Sequence, residues 1–182
     1  GYYLAFNKNK VTYVAIDILK TLLAVPTVVV GLVCFFFLRR QGVFGDYGLL
    51  FTQSAIVIGQ FILAIPIMAT LSYNAFSSLD RCAHETVLTL GLSKRKSVIL
   101  LVSEARFGLV AAITQTFGRL IGEVGVSMML GGNIEGYTRT MTTTIALETS
   151  KGELALGLKL GGVLLLIALI VNMLLNRLQK KK

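Results

Sequence analysis

Histidine, cysteine and charged residues are all scarce in this sequence. One histidine, His84, and two cysteines without a Cys-x-x-Cys pair leave no zinc-type ligand set. Cys34 falls inside an apolar run and Cys82 inside a polar one, so no intrachain disulfide is expected. A solitary His84 with no nucleophile partner and no metal set gives no footing for an intramembrane enzyme. No Gly-x-x-x-x-Gly-Lys-[Ser/Thr] loop occurs, and neither does an internal repeat or a low-complexity segment. Only 15% of residues are charged while 54% are hydrophobic, and the mean hydropathy is +0.75. A soluble domain could not hide so much apolar surface.

What is present is long apolar runs. A window of roughly 20 residues, the length of a bilayer-crossing helix, predicts spans at Ile18 to Leu38, Leu49 to Tyr73, Phe107 to Leu130 and Leu154 to Leu175. Val163-Leu164-Leu165-Leu166-Ile167-Ala168-Leu169-Ile170-Val171 is apolar on every face, so the period-2 alternation of an outer-membrane barrel is absent. The fold class is all-α, a polytopic transmembrane helical bundle in a lipid bilayer. The opening Gly1-Tyr2-Tyr3-Leu4-Ala5-Phe6, followed by Asn7-Lys8-Asn9-Lys10, reads like the last turn of a helix reaching the cytoplasm. It carries no signal-peptide pattern, and further spans are expected upstream of a single transmembrane domain over residues 1–182.

The formal net charge of +9 orients the chain and needs no nucleic acid, because the basic residues sit at helix ends and are not interleaved with stacking aromatics. Placing the loop after the second span inside gathers Lys8, Lys10, Arg81, Lys94, Arg95, Lys96, Arg177, Lys180, Lys181 and Lys182 on the cytoplasmic side. Arg39, Arg40, Arg139 and Lys151 remain outside, and the positive-inside rule favours this arrangement despite the Arg39-Arg40 pair.

Along the chain, Pro26 should kink the first span or mark its distorted start, and Gly59 and Pro66 interrupt the second. Gly42, Gly45 and Gly48 make a short outer loop. From about 77 to 97 the sequence turns polar and helical, with Ser77-Ser78-x-Asp80 able to cap a short helix and Gly91 able to end it. The threonine-rich stretch 137–151 is amphipathic and too short to cross, and should lie near the outer surface.

The functional candidates within the spans follow from cost and spacing. Arg119 and Glu123, four apart, would share a helical face, and ionised groups at membrane depth are costly unless paired or wetted. An internal ion pair, a gate across a dimer axis and direct steering of an anion by Arg119 all remain open readings. Gly118, Gly122 and Gly125 form a small-residue seam for a second copy of the chain or for a neighbouring helix of the same chain. Met128 and Met129 would line a pathway or pack, packing being the commoner use. Thr138, Thr140, Thr142, Thr143 and Thr144 offer hydroxyls near the outer surface that could donate to a polar ligand, although such runs more often satisfy a helix surface. Lys159 can snorkel.

Glu85-Thr86-Val87-x-x-x-Gly91 resembles the coupling motif of ABC importer permeases, Glu-Ala-Ala, three residues, then Gly. Thr86-Val87 replaces the two alanines, and Leu101-Val102-Ser103-Glu104 stands where many relatives have Ile-x-Leu-Pro. Glu104-Ala105-Arg106-Phe107-Gly108, Gly118-Arg119-x-x-Gly122-Glu123-Val124-Gly125, Gly131-Gly132-Asn133-Ile134, Gly136-Tyr137-Thr138-Arg139-Thr140-Met141-Thr142-Thr143 and Leu147-Glu148-Thr149-Ser150-Lys151-Gly152-Glu153 are similar to the tungstate-type members of that family. The resemblance runs from about Thr21 to Asn176. It implies a type I ABC importer permease with cytoplasmic coupling helices, in a bacterial or archaeal cytoplasmic membrane, importing tungstate, molybdate or vanadate by alternating access. It further implies an ATPase subunit that holds ATP and Mg, an extracytoplasmic substrate-binding protein, a second copy of the chain, and no cofactor or catalysis in this chain. In such a permease Glu85, Thr86, Leu90, Gly91 and Leu92 would seat on the ATPase, while Arg119, Glu123, Met128, Thr140 and Thr142 would line or gate the pathway. The competing class is a secondary transporter or channel with Arg119 and Glu123 as an ion relay. The orientation has its own check: a membrane-impermeant thiol reagent applied to intact cells should leave Cys82 unlabelled, and labelling from outside would invert the topology.

Overall fold

A computed structural model describes residues 1–6, 9–79 and 93–180, and every regular element among them is helical. In chain order these are α1 (Tyr2–Phe6), α2 (Lys10–Ala24), α3 (Thr27–Leu38), α4 (Gln53–Ser77), α5 (Lys94–Glu104), α6 (Arg106–Ile121), α7 (Gly125–Gly131), α8 (Met141–Ser150) and α9 (Leu154–Lys180), with a 3-10 turn at Gly45–Tyr47. Two stretches, Gln53–Ser77 and Leu154–Leu175, are long and apolar enough to cross a membrane alone; there are up to four spans if each of two broken helix pairs counts as one. The expected coupling residues Glu85, Thr86, Leu90, Gly91 and Leu92, and Cys82, lie outside the described residues.

Two of the expected spans are not continuous helices. In the first, α2 ends at Ala24 and Pro26 becomes the residue preceding α3, because proline has no N–H to offer the ladder and disfavours helical geometry in its predecessor. The 12 residues of α3 reach only about 18 Å, short of the roughly 30 Å of a hydrocarbon core. The third, expected from Phe107 to Leu130, stops at Ile121, leaves residues 122–124 non-helical and resumes as the 7-residue α7. By contrast Pro66 sits within an unbroken α4. Ser77 belongs to that helix, and the Ser78 hydroxyl donates to Ala75 O at 3.0 Å at its end; the short helix expected after Asp80 lies outside the described residues.

The chain divides into two compact units. The first comprises Gly1–Leu23, Pro66–Thr116 and Leu174–Lys182. Its buried side chains include Ile16, Phe76, Leu101, Ala105 and Ala112, and Phe76 meets Tyr2 edge-on with ring centroids 5.6 Å apart. Gly108 lets α6 approach α4 closely, since a Cβ there would stand 2.8 Å from Ala75 Cβ. Thr116 turns its hydroxyl back onto Ala112 O at 2.8 Å, the usual way a hydroxyl is satisfied in an apolar helix.

The second unit comprises Ala24–Ile65 and Phe117–Met173, with Cys34, Leu38, Ala55, Leu63, Val126 and Leu130 as its core. The short α7 is buried between α3 and α4 at two glycines. A Cβ on Gly31 would lie 3.2 Å from Met129 Cβ, and one on Gly59 would lie 2.4 Å from Val126 Cγ1 and 2.5 Å from Leu130 Cδ1. Without side chains at those points three backbones come close enough for dispersion contacts to hold them, the force that packs helices where no hydrophobic gradient exists. The end of α7 is closed by Gly132, at φ +69°, where a side chain would be strained and would also meet the Phe51 ring. Its last carbonyls are taken up too: Phe51 N–H donates to Leu130 O at 2.8 Å, and the Thr138 hydroxyl donates to Gly131 O at 2.5 Å.

The threonine-rich stretch forms α8, which lacks the apolar face expected of it and is started by a reciprocal capping box: Thr143 N–H donates to Thr140 Oγ1 at 3.2 Å, and Thr140 N–H to Thr143 Oγ1 at 2.9 Å. Between those two residues Thr142, buried, donates its hydroxyl to Glu123 O at 3.0 Å and so ties α8 to the break between α6 and α7. After the turn at Gly152 the chain enters α9, whose leucines 158, 165, 166 and 169 are exposed; only 6% of its apolar window is buried within the chain. Such a face belongs against lipid or other subunits.

Two substitutions report on this packing. Gly59→Val is expected to cost about 1–3 kcal/mol by overfilling the α4–α7 contact, read as a lower midpoint of thermal unfolding in detergent. Thr142→Val, which strips one donor from a buried carbonyl, is expected to cost about 1–2 kcal/mol, with Thr142→Ser close to the parent. Equal midpoints for the serine and valine forms would show that the hydroxyl contributes nothing.

Candidate functional site

The break at residues 122–124 brings functional side chains together. Gly122 ends α6 without any neighbour within 4 Å of a would-be Cβ, and the chain then turns Glu123 inward until it is 5% exposed. Its carboxylate folds forward, Oε1 accepting the Val126 N–H at 3.1 Å, one of the otherwise unpaired amides at the start of α7. Gly125 makes room for that fold, since a Cβ there would approach Oε1 to 3.2 Å and Val28 Cγ2 to 2.9 Å. The Glu123 carbonyl accepts from Thr142 Oγ1 at 3.0 Å and, more distantly, from Ser127 Oγ at 3.4 Å. The backbone interruption is thereby satisfied by side chains of the same unit.

An open cavity of about 340 Å³ adjoins the break. Phe117, Leu120, Ile121, Met141 and Leu164 give it apolar walls, and Gln60, Glu123, Thr140 and Thr142 supply its polar groups. Most of that polarity is already engaged. The Thr140 hydroxyl caps α8 and lies 2.9 Å from the Thr142 hydroxyl, while Thr142 serves Glu123 O. The Gln60 amide makes no hydrogen bond to the described residues, and Glu123 uses only Oε1, so these two lining groups keep capacity to spare.

Of the expected pathway residues, Glu123, Thr140 and Thr142 meet here, whereas Arg119 and Met128 are absent from the lining. The expected Arg119–Glu123 pair does not form: the ion pairs among the described residues are Arg139–Glu135 at 3.2 Å and Lys151–Glu148 at 2.9 Å. The reason is the break itself. A four-residue spacing puts side chains on one face only while the helix lasts, and α6 ends at Ile121. Arg119 instead points outward and is exposed. The expected glycine seam is likewise divided: Gly118 and Gly122 face open space, while Gly125 packs on Val28 and Thr27 of α3. Met129 packs against Gly31, and Met128 is half-buried. Gln60 was missed, although one amide in the apolar run Val57 to Ile67 carries the intramembrane-polar signal that drew attention to Arg119 and Glu123.

Comparison with known proteins agrees with this picture of a membrane transport component. Over residues 1–182 the sequence matches the family described as binding-protein-dependent transport system inner membrane component. The tungstate uptake system permease protein TupB of Campylobacter jejuni is 42% identical over 163 residues, covering 90% of this chain and 68% of that protein. TupB of Peptoclostridium acidaminophilum is 37% identical over 164 residues, 90% of this chain and 72% of that protein. A probable anion ABC transporter permease protein of Haloferax volcanii is 37% identical over 172 residues, 92% of this chain and 72% of that protein. With its whole length matched, the chain belongs to the family of inner-membrane components of binding-protein-dependent transport systems.

Proposed function

We propose that this chain is the membrane-spanning permease subunit of an ATP-driven importer for an oxyanion of the tungstate and molybdate type, tungstate first, in a bacterial or archaeal cytoplasmic membrane. The observation that carries the reading is the 42% identity to a tungstate uptake permease across 90% of the chain, within a family defined by dependence on a binding protein. In this reading two copies of the chain enclose the pathway, an extracytoplasmic binding protein delivers the anion, and a separate ATPase holds ATP and Mg. Glu85, Thr86, Leu90, Gly91 and Leu92 seat on that ATPase, and alternating access moves the anion inward.

The cavity chemistry supports passage without capture. A unit charge held 4 Å from the Glu123 carboxylate is repelled or attracted by about 4 kcal/mol at an effective dielectric near 20, and an oxyanion of charge −2 meets twice that repulsion. With the threonine hydroxyls spent on α8 and on Glu123 O, the cavity has few donors to offset it. Selectivity and affinity then reside in the binding protein, and the permease contributes a route.

The test is uptake of radiolabelled tungstate by proteoliposomes containing the permease, its ATPase and its binding protein. Glu85→Ala and Gly91→Val are expected to lower uptake by about tenfold or more while ATP hydrolysis continues, the signature of lost coupling. Uptake that proceeds without ATP and collapses with the proton gradient would instead establish a secondary transporter.

A further inference from the structure

We propose that Arg119 of one copy enters the cavity of a second copy and pairs with Glu123 there, the contact repeating reciprocally about a twofold axis. The inference rests on the paired-permease reading above and names the residues that make the pair.

Three observations converge on it. Arg119 lies in the last turn of α6, exposed, with no ion pair or hydrogen bond to the described residues. A guanidinium in an apolar span is costly unless it reaches water or an anion. Glu123 is buried among its own chain's atoms yet lines an open cavity, and only Oε1 has a partner, the Val126 N–H at 3.1 Å. A carboxylate accepts several donors, and the fork of a guanidinium matches it. The other polar lining groups, Gln60, Thr140 and Thr142, bring no cation. Finally, Gly118 and Gly122 flank Arg119 and meet nothing within 4 Å of a would-be Cβ, so a second backbone can come close at this level.

Symmetry selects a second copy as the donor. Across a twofold interface residue i meets j while j meets i, so one patch must carry both halves of each contact. Arg119 and Glu123 are four residues apart in one compact unit and satisfy that condition. The pairing also answers the repulsion described above: an oxyanion entering the cavity meets a carboxylate already matched by a guanidinium.

The contact can be read by cross-linking. Two differently tagged copies are co-expressed with the partner ATPase, Cys34 and Cys82 replaced by alanine, one copy carrying Arg119→Cys and the other Glu123→Cys. Mild oxidation in the membrane is expected to join the two tags in one band. Tags that co-purify without a 119–123 link would overturn the contact while leaving the pair intact; wild-type tags that do not co-purify would overturn both. Should the Glu123→Cys copy fail to accumulate, co-purification of Arg119→Glu copies with intact Glu123 gives a second reading. It is expected to fall by about tenfold or more, with Arg119→Lys near the parent. Unchanged recovery of the Arg119→Glu copies, as for an Arg119 that serves only lipid phosphate or water, would overturn the proposal. None of these readouts involves tungstate, so a wrong substrate would show only in the uptake assay.

Discussion

The second unit depends on how a broken helix pays its backbone hydrogen bonds. Where α6 stops at Ile121 the ladder is lost for three residues, and buried backbone groups left without it must find other partners. Glu123 meets that demand from both of its ends: its carboxylate accepts an amide of α7, and its carbonyl receives the Thr142 hydroxyl. Because Thr142 sits two residues after Thr140, the N-terminal residue of the capping box, the start of α8 is positioned by the same residue that starts α7. The cavity is the space beside this junction, and its polar lining is largely the junction's own hydrogen-bonding equipment.

A break of this kind needs a rigid setting, and α7 receives it from side chains that are absent. Seven residues cannot form a stable helix in isolation, so α7 is held by its neighbours. Gly31 and Gly59 let it sink between α3 and α4, and Val126, Ser127 and Leu130 become fully buried. At its far end Gly132 and Phe51 fit against one another, and Phe51 accepts a left-handed backbone at φ +62° while its N–H reaches Leu130 O. The α3–α4 loop is thereby joined to the end of α7, and a disturbance at either end of α7 would be felt at Glu123.

Much of this was legible in the sequence and some could not be. Hydropathy finds α4 and the apolar part of α9 because each is a continuous apolar helix, and Pro26 marks the break before α3 by its missing N–H. The interruption at 122–124 leaves no such mark. Gly122-Glu123-Val124-Gly125 lies in an apolar stretch with no proline, and the partners that make the break tolerable, Thr142 and Val126, come from other elements. Once the break is missed, the four-residue spacing of Arg119 and Glu123 reads as an ion pair that the backbone does not permit. The threonines show the opposite case: the commoner use of such a run, satisfying local backbone, is what Thr138, Thr140, Thr142 and Thr143 do with Gly131 O, Glu123 O and the cap of α8.

The charge arrangement then bears on how such a subunit can pass an anion without trapping it. A pathway lined with free donors or unpaired cations would hold a dianion in a deep well and slow its release; one lined with unpaired carboxylates would refuse entry. Here the carboxylate is buried, half-satisfied by a backbone amide and flanked by hydroxyls already committed elsewhere, while the nearest cation in sequence faces away from it. If the guanidinium of a second copy completes Glu123, the net charge at the cavity is near zero only while the two copies are together at this level. Their separation would expose a carboxylate and their approach would mask it. Repulsion of about 4 kcal/mol per unit charge at 4 Å is enough to decide on which side of such a movement an anion can stay.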